Sequence, residues 1–374
     1  MANGVVEFWN FVLREPFGPD VSGLWGSERI TLNWFVPPLS EHSGGHINLF
    51  RFILGLQARG FENRVIITND AMIHPCAKSG EELLQNINDW YGPYNGTVYH
   101  DHGDIPQCHF AFATGWQSAY AVKAFRGALF RYYFVQDFEP SFYPVGSEYI
   151  FAEDTYRFGF TGITAGGWLA DKLRAEYGMR THAVGFSYDR ALYSQKPRHS
   201  DQRHLFCYVR PGTPRRAWDL AAITLNEFHK QRPDVALILA GGGIDSGSLP
   251  FPVFAPGAIS QAELPGLYSQ CDAAFVPSLT NLSLLPLELM ACGVPVISND
   301  GPNVEWLLNA SNASVIKPNA RKLADEIVRI FDLPAAEHAL LCARSKEFAA
   351  STNWDFEFDK VAQILNAAIG RIQE

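Results

Sequence analysis

The 374-residue chain has few cysteines, and the six it has (Cys76, Cys108, Cys207, Cys271, Cys292 and Cys342) form no C-x-x-C pair. That spacing excludes the common zinc modules and a secreted disulfide framework, and it fits a reducing compartment. Base is also scarce: 30 Lys and Arg against 39 Asp and Glu leave a formal net charge of -9, which argues against general nucleic-acid binding. No apolar run approaches the roughly 20 residues that span a bilayer. The opening MANGVVEFWNFVLREPFG lacks the basic lead and unbroken apolar stretch of a secretion signal. The expected location is therefore the cytoplasm. Two nucleotide signatures are missing as well. No glycine loop runs into Gly-Lys-Ser or Gly-Lys-Thr, and the sixth residue from Gly241 is Ser246, so the G-x-G-x-x-G fingerprint fails.

What is present is a globule: 47% hydrophobic and 18% charged residues, over a length that suits two domains. Aromatics reach 13%, read either as core filling or as stacking surface. ITLNWFVP alternates and ends in prolines, so it reads as a first strand. The loop and helix SEHSGGHINLFRFILGLQARGF follow, then the strand NRVIITND. HFAFATG and LFRYYFVQDFEP continue the strands, with QSAYAVKAF as a helix between them. After Gly185 the pattern restarts, from QRHLFCYVRP through VALILAGGG and DAAFVPS to VPVIS. Strands alternating with helices predict parallel sheets covered on both faces. The expectation is two Rossmann-like α/β domains, residues 1–190 and 200–351, joined by the polar GFSYDRALYSQKPRHSDQRH. A last amphipathic helix, 352–374, is expected to return to the first domain.

Two open α/β sheets present their strand-end loops to a ligand. In the first, Gly44 and Gly45 offer backbone N–H groups to an anion at a helix start, or simply form a tight turn capped by Ser43. In the second, Arg210, Arg215 and Arg216 could grip a diphosphate, although Arg216 could instead pair with Asp219. Gly241 and Gly242 end a strand and leave room for a base or ribose. Asp137 and Glu139 end another, either to handle an acceptor hydroxyl or to cap the next segment. DHGD, from Asp101 to Asp104, reads as a polar loop rather than a metal site.

PSLTNLSLLPLELMACGVPVISND sets one acid, Glu288, in an apolar run. An unpaired buried charge costs several kcal/mol, so that carboxylate reaches water or a partner. With Pro286 at the first helical position, Glu288 falls in the first turn, and the N–H groups of Leu284 and Leu285 point at any adjacent phosphate. Its partner is then the vicinal hydroxyls of a ribose, or alternatively its own helix end.

SQAELPGLYSQCDAAFVPSLTNLSLLPLELMACGVPVIS resembles the C-terminal signature of family-four retaining glycosyltransferases of GT-B fold. GGHINLFRFILGLQARGF matches the glycine loop, and Arg210 and Arg215 match the usual Arg and Lys. YYFVQDFEPSFYPVGSEYIFAEDTYRFGF is similar to bacterial rhamnosyltransferases of surface-polysaccharide and glycoprotein-glycan assembly. The resemblance implies a nucleotide-sugar donor such as dTDP-L-rhamnose, an oligosaccharide or lipid-linked glycan acceptor, and no cofactor or metal. It implies retention of configuration, and Gly45, His46, Asp137 and Glu139 as the candidate catalytic set. Thr280 stands where the family has the first acid of E-x7-E, so the sugar pocket falls to Thr280, Asn281, Leu282 and Ser283. That less acidic pocket suits a 6-deoxy sugar. A lipid-linked acceptor would bring the protein to the inner face of the membrane. A nucleotide-sugar epimerase and a non-catalytic glycan-binding protein are the competing readings.

Overall fold

The apolar strand runs form two parallel sheets. A computed structural model of the chain describes residues 2–24, 29–41, 43–69, 78–100, 104–257 and 259–373. The chain divides into a first unit that ends at Val184 and resumes at Asp355, and a second unit, Gly185–Trp354.

The first unit holds β1 (Thr31–Val36), β2 (Glu62–Ile67), β3 (Thr97–His100), β4 (Cys108–Ala113), β5 (Ala128–Val135), β6 (Thr161–Ala165) and β7 (Arg180–Val184). They lie in the order β3-β2-β1-β4-β5-β6-β7, every neighbour parallel. Its helices before the break are α1 (Ala2–Trp9), α2 (Gly44–Gln57), α3 (Gly80–Tyr91), α4 (Trp116–Ala124), α5 (Ser147–Asp154) and α6 (Gly167–Tyr177). The alternation expected of the first strand corresponds to no exposed face: all six residues of β1 are buried. The strand is central, so both its faces are covered and its polar positions are absorbed internally. Trp34 stacks on Phe112 of β4 at 4.1 Å and donates from Nε1 to Asn63 Oδ1 at 2.8 Å.

The second unit holds β8 (His204–Tyr208), β9 (Ala236–Ala240), β10 (Ala273–Phe275), β11 (Val296–Asn299) and β12 (Ser314–Ile316). Their order is β12-β11-β10-β8-β9, again all parallel. Its helices are α7 (Trp218–Gln231), α8 (Leu264–Tyr268), α9 (Leu285–Ala291), α10 (Pro302–Glu305), α11 (Ala320–Phe331) and α12 (Ala335–Ser351). Leu205, Cys207, Leu225, Phe228, Phe275 and Ile327 belong to the core on one face of this sheet. The polar segment expected to link two domains lies within this unit. Tyr193 stacks on Tyr268 at 6.3 Å, the N–H of Lys196 donates to Ser269 Oγ at 2.8 Å, and Arg198 pairs with Asp272 at 3.0 Å.

The last helix, α13 (Trp354–Gln373), belongs to the first unit from Asp355 onward. Phe358 meets Phe52 of α2 edge-on at 5.2 Å. Gly55 makes that approach possible, because a Cβ there would sit 2.4 Å from the Phe358 ring. Arg59 ties the two helices through Asp355 at 3.2 Å and Asp359 at 2.6 Å. Among the described residues, no helix is long and apolar enough to cross a membrane.

Candidate functional site

In an open parallel sheet the carboxyl ends of two adjacent strands open a crevice where their connections diverge to opposite sides. Strand order puts that point between β8 and β10 in the second unit. The loop after β8 carries Arg210, Arg215 and Arg216; the loop after β10 carries Thr280, Asn281, Leu282 and Ser283. The two are joined directly. The N–H of Leu279 donates to the Arg215 carbonyl at 2.9 Å, and Arg216 Nη1 donates to Ser278 Oγ at 3.0 Å and to the Asn281 carbonyl at 3.4 Å. Arg210 is exposed, Arg215 half-buried. Three arginines of one expected role thus occupy different situations, and Arg216 spans the loops.

The loop after β10 is held from behind by groups the sequence reading passed over. Asn299 accepts from the Ser278 N–H at 2.7 Å and donates to the Ser278 carbonyl at 2.9 Å. Asn303 Nδ2 donates to the carbonyls of Ser278 and Thr280 at 3.0 and 2.7 Å. Trp306 Nε1 donates to Asn281 Oδ1 at 2.8 Å. Asn281 is accordingly buried and engaged in shaping the loop, and Leu282 is buried too. Thr280 is buried with a hydroxyl that has no hydrogen-bond partner among the described residues, whereas Ser283 is half-buried. The turn dense in Asn, Asp, Gly and Pro after VPVIS was the available signal for this clamp.

Gly241, Gly242 and Gly243 end β9 with φ of +130°, +107° and +74°. A Cβ on Gly241 would lie 2.2 Å from the Val209 carbonyl, while one on Gly242 would meet nothing within 4 Å. Glycine is therefore demanded by close backbone approach at the first position, and open space follows at the second. Helix α9 starts one residue earlier than expected, with Leu284 as its cap and Leu285 ahead of Pro286. Leu284 caps a turn whose leading N–H groups have no intrahelical acceptor. Glu288 is half-buried in this first turn. Its carboxylate adds to burial in raising the Tyr268 hydroxyl and in pushing the Cys292 thiol up to about 12.

In the first unit the diverging strands are β1 and β4. Ser43 Oγ accepts from the His46 N–H at 3.4 Å and starts α2, with Gly44 and Gly45 exposed at its tip. Gln136, at the end of β5, donates to the Gly45 carbonyl at 3.0 Å and accepts from Asn48 at 3.0 Å. His46 is buried, with Nε2 3.4 Å from the Pro37 carbonyl and its ring stacked on Tyr91 at 6.3 Å. Burial lowers its pKa, partly offset by that carbonyl.

Asp137 and Glu139 diverge. Asp137 Oδ1 accepts from the Phe138 N–H at 2.8 Å. Glu139 is buried, accepting from the Trp116 N–H at the start of α4 at 2.7 Å and from the Tyr133 hydroxyl at 3.0 Å. Desolvation raises its pKa to about 7, against those two hydrogen bonds. One oxygen thus caps α4 and the other is held by Tyr133. Asp101, His102 and Gly103 of the polar DHGD loop lie outside the described residues, as does Cys76. Among the described residues, no cluster of His, Cys, Asp and Glu could hold a metal ion.

Two parallel-sheet α/β units of this kind match the GT-B fold, and solved structures superpose over most of this chain. S. aureus TarM, a mutant in complex with fondaparinux, alpha-GlcNAc-glycerol and UDP, superposes with a TM-score of 0.71 over 90% of this chain and 100% of that one, at 8% identity. Anabaena HepE in complex with UDP-glucose gives 0.67 over 92% and 100%, at 14% identity. In sequence, the model of the WsaF C-terminal domain matches residues 203–328 and that of the WsaF N-terminal domain residues 107–165. The O-antigen biosynthesis protein RfbC of Myxococcus xanthus is 29% identical over 95% of this chain. The chain spans less than a third of the length of the curated relatives it matches, 29% in the case of RfbC.

Proposed function

We propose that the chain is a glycosyltransferase of glycan biosynthesis. It moves a sugar from a nucleotide diphosphate to a hydroxyl of a growing or lipid-linked glycan, at the cytoplasmic face of the membrane. The observation that carries this reading is the linked pair of loops at the β8/β10 divergence, with Arg210, Arg215, Leu284 and Leu285 at one strand-end edge. Similarity to WsaF and to an O-antigen protein supports the glycan context.

In this reading Arg210, Arg215 and the leading N–H groups of α9 take up the charge that develops on the departing diphosphate, which is electrostatic preorganisation rather than base catalysis. In the first unit, Gly44, Gly45, His46 and Asp137 handle the acceptor hydroxyl. Glu288 grips the ribose next to Gly241 and Gly242, and no metal is required. Configuration at the anomeric carbon is retained. We assign L-rhamnose, carried on dTDP, as the donor sugar. Thr280 in place of an acid, with Leu282 and Leu284 beside it, favours a sugar that lacks a 6-hydroxyl.

The test is a thermal-shift screen of dTDP-, UDP- and GDP-sugars, followed by transfer assays with the stabilising donor. Stabilisation by dTDP-L-rhamnose and acceptor-dependent release of dTDP are expected. A donor altered without any acceptor would mean an epimerase, and glycan binding with no donor turnover would mean a non-catalytic protein.

A further inference from the structure

Tyr208, the last residue of β8, has no part in the site so far. Along this strand Leu205 and Cys207 turn into the core, as does Val209 just beyond it, so Phe206 and Tyr208 face the other side of the sheet. There Phe206 meets Tyr268 of α8 edge-on at 5.1 Å. Tyr208 is only half-buried. Its ring lies against the glycine end of β9, 3.0 Å from where a Cβ on Gly241 would be, and the neighbouring Gly242 opens onto space. The electrostatic surroundings of the Tyr268 hydroxyl include both Glu288 and Tyr208, which puts the acid and the second tyrosine in one neighbourhood of this unit.

We infer that Tyr208 forms the aromatic wall of the nucleoside site, its ring packing on the base of the nucleotide that Glu288 and Gly242 border. The inference rests on the nucleotide-sugar reading above. A partly exposed ring beside a glycine gap offers the face that a planar base stacks on, and base stacking tolerates different bases because each has a π-face. A tyrosine that merely covered Gly241 would leave nucleotide affinity untouched.

The experiment measures binding of dTDP, UDP, GDP and inorganic pyrophosphate by calorimetry to the intact chain and to Tyr208→Leu and Tyr208→Phe. Leucine keeps apolar cover over the glycines without a ring, and thermal unfolding checks that both variants fold. Affinity for the best-bound nucleoside diphosphate should fall at least about fivefold in Tyr208→Leu and stay near wild type in Tyr208→Phe. Pyrophosphate affinity should be the same in all three. Equal nucleotide affinity in folded Tyr208→Leu overturns the inference, and so does a parallel loss of pyrophosphate. A wild-type chain that binds no nucleotide removes the underlying reading first, and this assignment with it.

Discussion

Arg216 and Ser278 join two loops that lie 62 positions apart in sequence: the guanidinium donates to the serine hydroxyl at 3.0 Å. The half-buried arginine acts as a strut, whereas exposed Arg210 faces solvent. Arg216→Ala should lower stability by about 1–2 kcal/mol, seen as a lower unfolding midpoint. Arg210→Ala should leave that midpoint unchanged and weaken nucleoside diphosphate binding by about tenfold. Swapped outcomes in calorimetry and thermal melts would refute this division of roles.

Glu288→Gln keeps the size of the side chain and one hydrogen-bond acceptor but loses the charge. Fold and unfolding midpoint should be retained while nucleotide affinity drops by about tenfold, since hydrogen bonds donated to a charged acceptor are roughly twice as strong as neutral ones. Unaltered calorimetric affinity would remove Glu288 from the nucleoside site.

Glu139 titrates abnormally because its carboxyl is buried, with a pKa raised to about 7 from an ordinary 4.5. An acid raised in the folded state holds its proton more tightly there than in the unfolded chain. Its contribution is therefore full below about pH 4.5 and is lost as pH rises to about 7, a span of roughly 3 kcal/mol. Glu139→Gln cannot titrate, so its stability should lack this downward slope between pH 5 and 7. Parallel urea-unfolding profiles for both proteins across that range would contradict the prediction.

Replacing a helical glycine by alanine ordinarily adds stability. At Gly55 the sign should reverse, because the new Cβ would overlap the Phe358 ring. A loss of about 1–3 kcal/mol is expected for Gly55→Ala. In the double variant with Phe358→Ala, the alanine at position 55 should cost far less, giving a coupling in a double-mutant cycle. Simple additivity would show that α13 does not press on α2 there.

The two sheets were legible because their strands are short apolar runs bounded by Gly, Pro and Asp, and the C-terminal helix because its apolar spacing is regular. Strand β3 was passed over: Thr97–His100 is an edge strand of four residues, none of them buried, and offers little apolar signal. Strands β6 (TGITA), β7 (RTHAV) and β12 (SVI) were passed over as well, because each is short and carries few large apolar residues. In the site, Arg216 and Glu139 show the limit. Their residue types announce charge, but whether a charged group meets a ligand or braces a loop depends on partners distant in sequence, here Ser278 and Trp116. The clamp of Asn299, Asn303 and Trp306 was hidden for the same reason.

The second unit is an insertion in the chain of the first, which resumes only with α13. During synthesis the surface of α2 around Phe52 and Gly55 therefore stays uncovered while some 170 residues of the other unit emerge. The inserted unit can close its own core without waiting, but the earlier one must keep an oily groove open until its final helix leaves the ribosome. A nascent chain halted at Trp354 would be the form most prone to aggregate or to recruit a chaperone.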